Sequence, residues 1–216
     1  MNEPVIIDNA RAITPETQAM ITPEKAMEML KAGNARFVAS TPLKRDLNQQ
    51  VDQTAGGQYP FAVVLSCIDS RIPTEIVFDQ GIGDIFNARI AGNFVNEDIL
   101  GSMEFACKLA GASLIVVMGH TACGAVKGAC DKAQLGNLTG LLNKITPAVD
   151  ATSTAPGEER NSKNSSFVNR VATKNVEMTM QDIKDKSQVL AEMLSKKEIG
   201  LVGAMYDVST GKVEFI

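Results

Sequence analysis

The chain has 216 residues, 44% hydrophobic and 21% charged. It is long enough to bury a core without disulfides or a structural metal, and wholesale disorder is excluded. A net charge of −4, with no basic run longer than Lys196-Lys197, argues against nucleic acid or an anionic membrane as partner.

The stretch from Met1 to Asp8 carries neither a basic leader region nor a useful apolar run, so no secretory signal is expected. Thr22-Pro23-Glu24 opens a helix: a hydroxyl N-cap, proline at the first helical position, then an acid against the dipole. Ala26, Met27, Leu30 and Phe37 continue it as an apolar stripe to about Ala39. Residues 1–40 thus read as an N-terminal helical arm, packed either on another subunit or on its own domain. Residues 40–58 are polar and irregular. Phe61 to Ser66 is a strand whose unbroken apolar character suits burial on both faces, as in a parallel sheet.

A short helical turn from Pro73 to Phe78 leads to a second strand, Ile85 to Ile90, broken by Ala91-Gly92-Asn93. Glu97 to Leu109 is a helix ended by Gly111, and Ser113 to Met118 a third strand stopping at Gly119-His120. Such runs are far too short to cross a bilayer. The next helix begins near Ala122 and contains Gly124 and Gly128, which permit close backbone approach. Residues 151–166 read as a surface loop, and Phe167 to Lys197 as a long helical region broken near Asp185 and capped by Gly200. Leu201 to Val208 and Val213 to Ile216 flank the turn Ser209-Thr210-Gly211 as a hairpin.

Alternating strands and helices predict one α/β domain over 1–216, with a mostly parallel central sheet and an antiparallel edge strand at the C-terminus. Sites in such sheets form beyond the carboxyl ends of the strands. Cys67 lies there on the first strand and His120 on the third.

Cys67, His120 and Cys123 form a catalytic zinc set: two thiolates and an imidazole, with the fourth tetrahedral position left to water or substrate. His120 is the chain's single histidine. Two thiolates neutralise the ion, so its water needs help from a neighbouring base. Asp69 is placed to accept the water's hydrogen, or alternatively to become a fourth ligand and close the site. Arg71 can hold Asp69 bidentately and keep the site open. Cys107 and Cys130 read as small buried hydrophobes. A structural zinc site would want a fourth Cys or His nearby, and none is evident. A redox pair lacks the Cys-x-x-Cys pattern. The four cysteines fit no disulfide framework, which points to reduced thiols in a cytoplasm.

Cys67-Ile68-Asp69-Ser70-Arg71 and Gly119-His120-Thr121-Ala122-Cys123-Gly124 resemble the two signature motifs of the β-class carbonic anhydrases, Cys-x-Asp-Ser-Arg and Gly-His-x-x-Cys-Gly. Gly83 to Asn93 is similar to the segment between them, and the likeness runs from about Thr22 to Ile216. The resemblance implies reversible hydration of carbon dioxide to bicarbonate and a proton at one Zn2+ per chain. It implies Cys67, His120 and Cys123 as ligands and a zinc-activated water as nucleophile, with Asp69 and Arg71 as the catalytic dyad. Gln58 matches a glutamine that hydrogen-bonds substrate across a dimer interface. Phe86, Ala91 and Phe105 match positions lining the carbon dioxide pocket, and Gly124 is placed with them on the substrate side. A homodimer or a tetramer built of dimers is implied as well.

There are departures. Phe105 stands where plant-type members often carry tyrosine, and Ile68 and Ile90 replace residues often small or polar. Val64 stands where a bicarbonate-inhibited subgroup has tryptophan, which favours the open subgroup. With no second histidine, proton export falls to buffer or to an acidic or tyrosyl side chain. The alternatives are a carbon disulfide or carbonyl sulfide hydrolase on the same scaffold, or a non-catalytic zinc-binding protein.

Overall fold

The computed structural model describes Asp8 and residues 10–216, so the leader reading over Met1 to Asp8 lies, apart from Asp8, outside the described residues. A short helix α1 (Pro15–Gln18) precedes α2 (Pro23–Val38), where the Thr22 hydroxyl accepts from the Lys25 amide as the sequence requires. Gln18 ties this region to the domain, its Nε2 donating at 2.7 Å to the carbonyls of both Pro60 and Ala110. α2 buries Ala26, Met29, Leu30, Gly33 and Asn34 within its own chain. A Cβ at Gly33 would stand 1.8 Å from the Phe78 carbonyl oxygen, so glycine sets how closely α2 can approach.

The polar stretch before the sheet holds a helix the sequence did not disclose, α3 (Leu47–Thr54). It has no apolar stripe. Instead the Asp46 carboxylate caps the Gln49 amide at 3.0 Å, and the buried Gln50 ties it down, accepting from Ile82 N–H and donating to the Ala10 carbonyl.

The sheet has order β2-β1-β3-β4-β5. β1 (Ala62–Ser66) pairs in parallel with β2 (Ile85–Arg89) and β3 (Leu114–His120). β3 pairs in parallel with β4 (Gly200–Tyr206), and β5 (Val213–Phe215) closes antiparallel on β4. Every residue of β1 and β3 is buried, which explains their unbroken apolar runs. Alternate side chains enter two core layers. Ala62, Val64, Leu114, Val116 and Met118 pack in one, and Val63, Leu65, Ile115 and Val117 in the other.

Helix α4 (Thr74–Val77) follows β1, and α5 (Glu97–Glu104) follows β2. α5 does not run to Leu109 as an α-helix. Phe105–Leu109 widens into a π-turn, with the Ala110 amide on the Phe105 carbonyl, before Gly111 turns the chain at φ +82. The region after the third strand divides into α6 (Gly124–Cys130), α7 (Gly136–Leu142) and α8 (Thr146–Ala151). The long helical region is α9 (Ser165–Lys186) and α10 (Gln188–Ser195), broken where the Ser187 hydroxyl caps the Leu190 amide. Gly200 is not the cap of α10. Lys197, at φ +59, turns out of that helix, while Gly200 opens β4 where a Cβ would stand 3.0 Å from Leu114 and Pro23.

Candidate metal centre

The parallel strands deliver the chemistry to one end of the sheet. Cys67 follows the last residue of β1, and His120 is the last residue of β3, level with Tyr206 on β4. Thr121 and Ala122 then turn the chain, Ala122 at φ +56, and place Cys123 as the N-cap of α6. Cys67, His120 and Cys123 are 4%, 0% and 1% exposed, and their ligand atoms lie within 4.8 Å of one another. No other histidine, cysteine or acid among the described residues joins that cluster.

His120 Nδ1 lies 2.9 Å from the Thr121 carbonyl, which fixes the proton there and leaves the Nε2 lone pair free. That Nε2 is buried without a hydrogen-bond partner. The thiols behave as a pair. Cys67 is shifted down, first by the Cys123 thiol donating to it and more weakly by the amides of Gly92 and Asp69. The same contact, with burial, pushes Cys123 up. Ionising both sulfurs at this distance is costly, and a dication would offset that cost. An orphaned imidazole nitrogen facing two thiols is a donor set that fits zinc. Cys107 and Cys130 stand apart, their thiols pushed by burial up to about 12 and about 11.

Asp69 lies outside the cluster and on Arg71. Nε donates to Oδ1 at 2.9 Å, Nη2 to Oδ2 at 2.7 Å, and the Arg71 amide to Oδ1 at 3.0 Å. The Arg71 guanidinium holds this carboxyl well below the usual carboxylate range. Sequence reasoning missed the residues behind this loop. Arg89, at the end of β2, donates to the carbonyls of Cys67 and Asp69 at 2.9 and 2.6 Å. Gly92 gives its amide to Cys67 Sγ at 3.4 Å. From α9, Asn169 accepts from the Ala122 amide at 3.1 Å and Asn175 donates to the Gly92 carbonyl at 2.7 Å. Arg89 and Gly92 fall in the segment already matched to the family, whereas Asn169 and Asn175 carried no local signal.

The residues assigned to substrate divide into two groups. Gly124 opens α6 beside Cys123, with no atom within 4 Å of a notional Cβ. Ala91 is half-buried in the turn next to Gly92. Phe86 and Phe105 pack edge to face, centroids 6.1 Å apart, in a recess shared with Val63. Val63 belongs to the core layer opposite that of Cys67 and Cys123, so one chain does not bring these rings to its own metal cluster. Gln58 is exposed ahead of β1, at the other end of that strand from Cys67.

The carbonic anhydrase family model matches residues 62–213. Carbonic anhydrase 2 of Mycobacterium tuberculosis is 35% identical over 198 residues, 88% of this chain and 91% of the relative. A carbonic anhydrase of Mycolicibacterium smegmatis is 36% identical over 200 residues, 89% of this chain and 92% of the relative. Among solved structures, a tetrameric β-carbonic anhydrase of Sordaria macrospora superposes with a TM-score of 0.66 at 23% identity, covering 78% of this chain and 90% of that one. No described helix is long and apolar enough to cross a membrane.

Proposed function

The chain belongs to the β-class carbonic anhydrase family, and on that premise we propose that it hydrates carbon dioxide reversibly to bicarbonate and a proton, with Cys67, His120 and Cys123 holding one zinc ion. The observation that carries this reading is the buried, unpartnered Nε2 of His120 facing two buried thiols. Bound there, zinc supplies the Lewis acidity that makes water a nucleophile near neutral pH.

The chain's own residues supply the rest. Asp69, kept ionised by Arg71, accepts a hydrogen bond from the reacting water and orients its lone pair toward the substrate carbon. Arg71 keeps Asp69 in this role and out of the metal's fourth position. Arg89 fixes the Cys67-to-Asp69 backbone, so ligand and base keep a constant separation. The open space over Gly124 admits a small substrate.

The pocket is completed by a second copy of the chain. β2 is an edge strand, and Phe105, whose ring packs on Phe86 of that strand, is 52% exposed. β1 spans about 17 Å at ~3.3 Å per residue, which keeps Gln58 from its own Cys67. Gln58, Phe86 and Phe105 therefore serve a partner's site in a homodimer, which can pair again into a tetramer. The four free, buried cysteines support a reducing, cytoplasmic compartment.

Stopped-flow hydration by the zinc-loaded chain, by the chelator-stripped chain and by zinc-loaded Cys123→Ser tests the reading. Hydration is expected in the first alone. Equal rates in stripped and loaded protein would reject zinc chemistry at this cluster.

A further inference from the structure

Cys67 and Cys123 reach the metal cluster by different routes. Cys123 stands at the N-cap of α6, so the helix that follows it carries its loop directly. Cys67 sits past the end of β1 with no helix behind it. An amide comes to its sulfur from Gly92, 25 residues away in the chain, at 3.4 Å. Gly92 lies in the turn closed by the Asn93 amide on the Ile90 carbonyl, at φ +81, a backbone state that glycine takes at no steric cost. A Cβ there would stand 2.4 Å from Ile145 Cδ1, so the turn is pressed against the core on its other side.

What aims the Gly92 amide is therefore what holds the turn. Beyond that packing, the residue gripping Gly92 is Asn175, 3% exposed in the middle of α9. Its Nδ2 donates to the Gly92 carbonyl at 2.7 Å. Six residues earlier on the same helix, Asn169 accepts from the amide of Ala122, the left-handed residue before Cys123. α9 thus presents one asparagine to each thiol-bearing loop. Since α9 also packs on β3, which ends in His120, it is the common backing of all three ligands.

We propose that Asn175 is a positioning residue for the metal centre: by gripping the Gly92 carbonyl it points the Gly92 amide at the Cys67 sulfur and sets that sulfur's strength as a ligand. The inference rests on the zinc reading above. The asparagine touches neither metal nor substrate. It acts through a main-chain residue whose two polar groups face opposite ways, the carbonyl to α9 and the amide to the sulfur. Hydrogen bonds from outside the ligand shell tune metal affinity by about 10- to 100-fold.

The test compares Asn175→Leu, which keeps size and loses the donor, with Asn175→Ala, for which a bordering cleft of ≈ 410 Å³ leaves room to relax. Val171→Ala, a fully buried position on the same helix, is the control for lost packing. Zinc affinity is read by chelator competition, and the ligand bond by the thiolate-to-metal charge-transfer band of the cobalt-substituted chain. Both Asn175 variants are expected to bind zinc about 10- to 100-fold more weakly and to shift the cobalt band. Val171→Ala should lower the melting temperature and leave both readouts in place. Unchanged affinity and band in the Asn175 variants would overturn the proposal. So would equal changes in Val171→Ala, or failure of both Asn175 variants to fold, either of which makes Asn175 a packing residue. If the wild-type chain binds no zinc or cobalt, the zinc reading fails instead.

Discussion

Arg71 grips Asp69 by both carboxylate oxygens, at 2.9 and 2.7 Å, while Asp69 stays outside the Cys67, His120 and Cys123 cluster. The two residues are separated by Ser70 alone, so the loop after β1 carries a thiol of the cluster, a carboxylate and the guanidinium that clamps it. A carboxylate held this way is oriented and ionised, and denied to the metal.

Removing the clamp should release the base. Arg71→Ala is expected to retain zinc and lose about 100-fold or more in hydration, the scale of a misplaced acid–base group. The cobalt-substituted variant should show a changed visible spectrum as the freed carboxylate approaches the ion. Undiminished hydration would contradict the clamp.

Proton export has no second histidine to use, since the chain's single imidazole is one of the three zinc ligands proposed above. Turnover measured at fixed pH and ionic strength should rise with the concentration of an imidazole-type buffer and then level off. Turnover independent of buffer would require a shuttle inside the chain. The buried Tyr206, level with His120 and held in its neutral form by burial, would be the first group to test.

Assembly should depend on the exposed apolar face beside β2. A charge at the half-exposed Phe105 stays hydrated in a monomer, at the loss of the ring's contact with Phe86, but is expelled from an apolar interface. Phe105→Glu should therefore sediment as a monomer, keep its zinc and lose hydration. A dimer of undiminished activity would remove Phe105 from the interface.

Stability should bend with pH through Asp84, which is 2% exposed, with Oδ1 unpartnered and Oδ2 accepting from the Gly81 amide at 2.6 Å. Burial pushes its carboxyl up to about 6. The folded state thus favours the protonated form, and its contribution is present in full below about pH 4 and lost as pH rises through 6. The span amounts to about 3 kcal/mol at ~1.4 kcal/mol per pH unit. Asp84→Asn should flatten the fall in urea midpoint between those limits relative to wild type, with both proteins metal-free. Parallel curves would assign the dependence to other groups.

The strands and the meeting of Cys67, His120 and Cys123 were legible in sequence for physical reasons. β1 and β3 are covered on both faces, which forces unbroken apolar runs, and Cys67 and His120 stand where parallel strands end. α3 was hidden because its eight residues are fixed by the Asp46 cap and Gln50 hydrogen bonds, not by an apolar stripe. The supporting shell was hidden for another reason. Arg89, Asn169 and Asn175 hold main-chain atoms 20 to 22, 47 and 83 residues away. A contact to a backbone atom leaves no mark on the residue type at the other end. Gly200 misled because a glycine after a helix has two uses, and close passage by Leu114 and Pro23 was the one in force.

The most direct measurement pairs zinc analysis with stopped-flow carbon dioxide hydration on wild type and Asp69→Asn, a substitution that keeps the shape and removes the base. About one zinc per chain is expected in both proteins, the mononuclear catalytic stoichiometry. Hydration is expected in wild type, with most of it lost in Asp69→Asn. Zinc-loaded wild type without hydration, or Asp69→Asn with undiminished turnover, would contradict the proposed function.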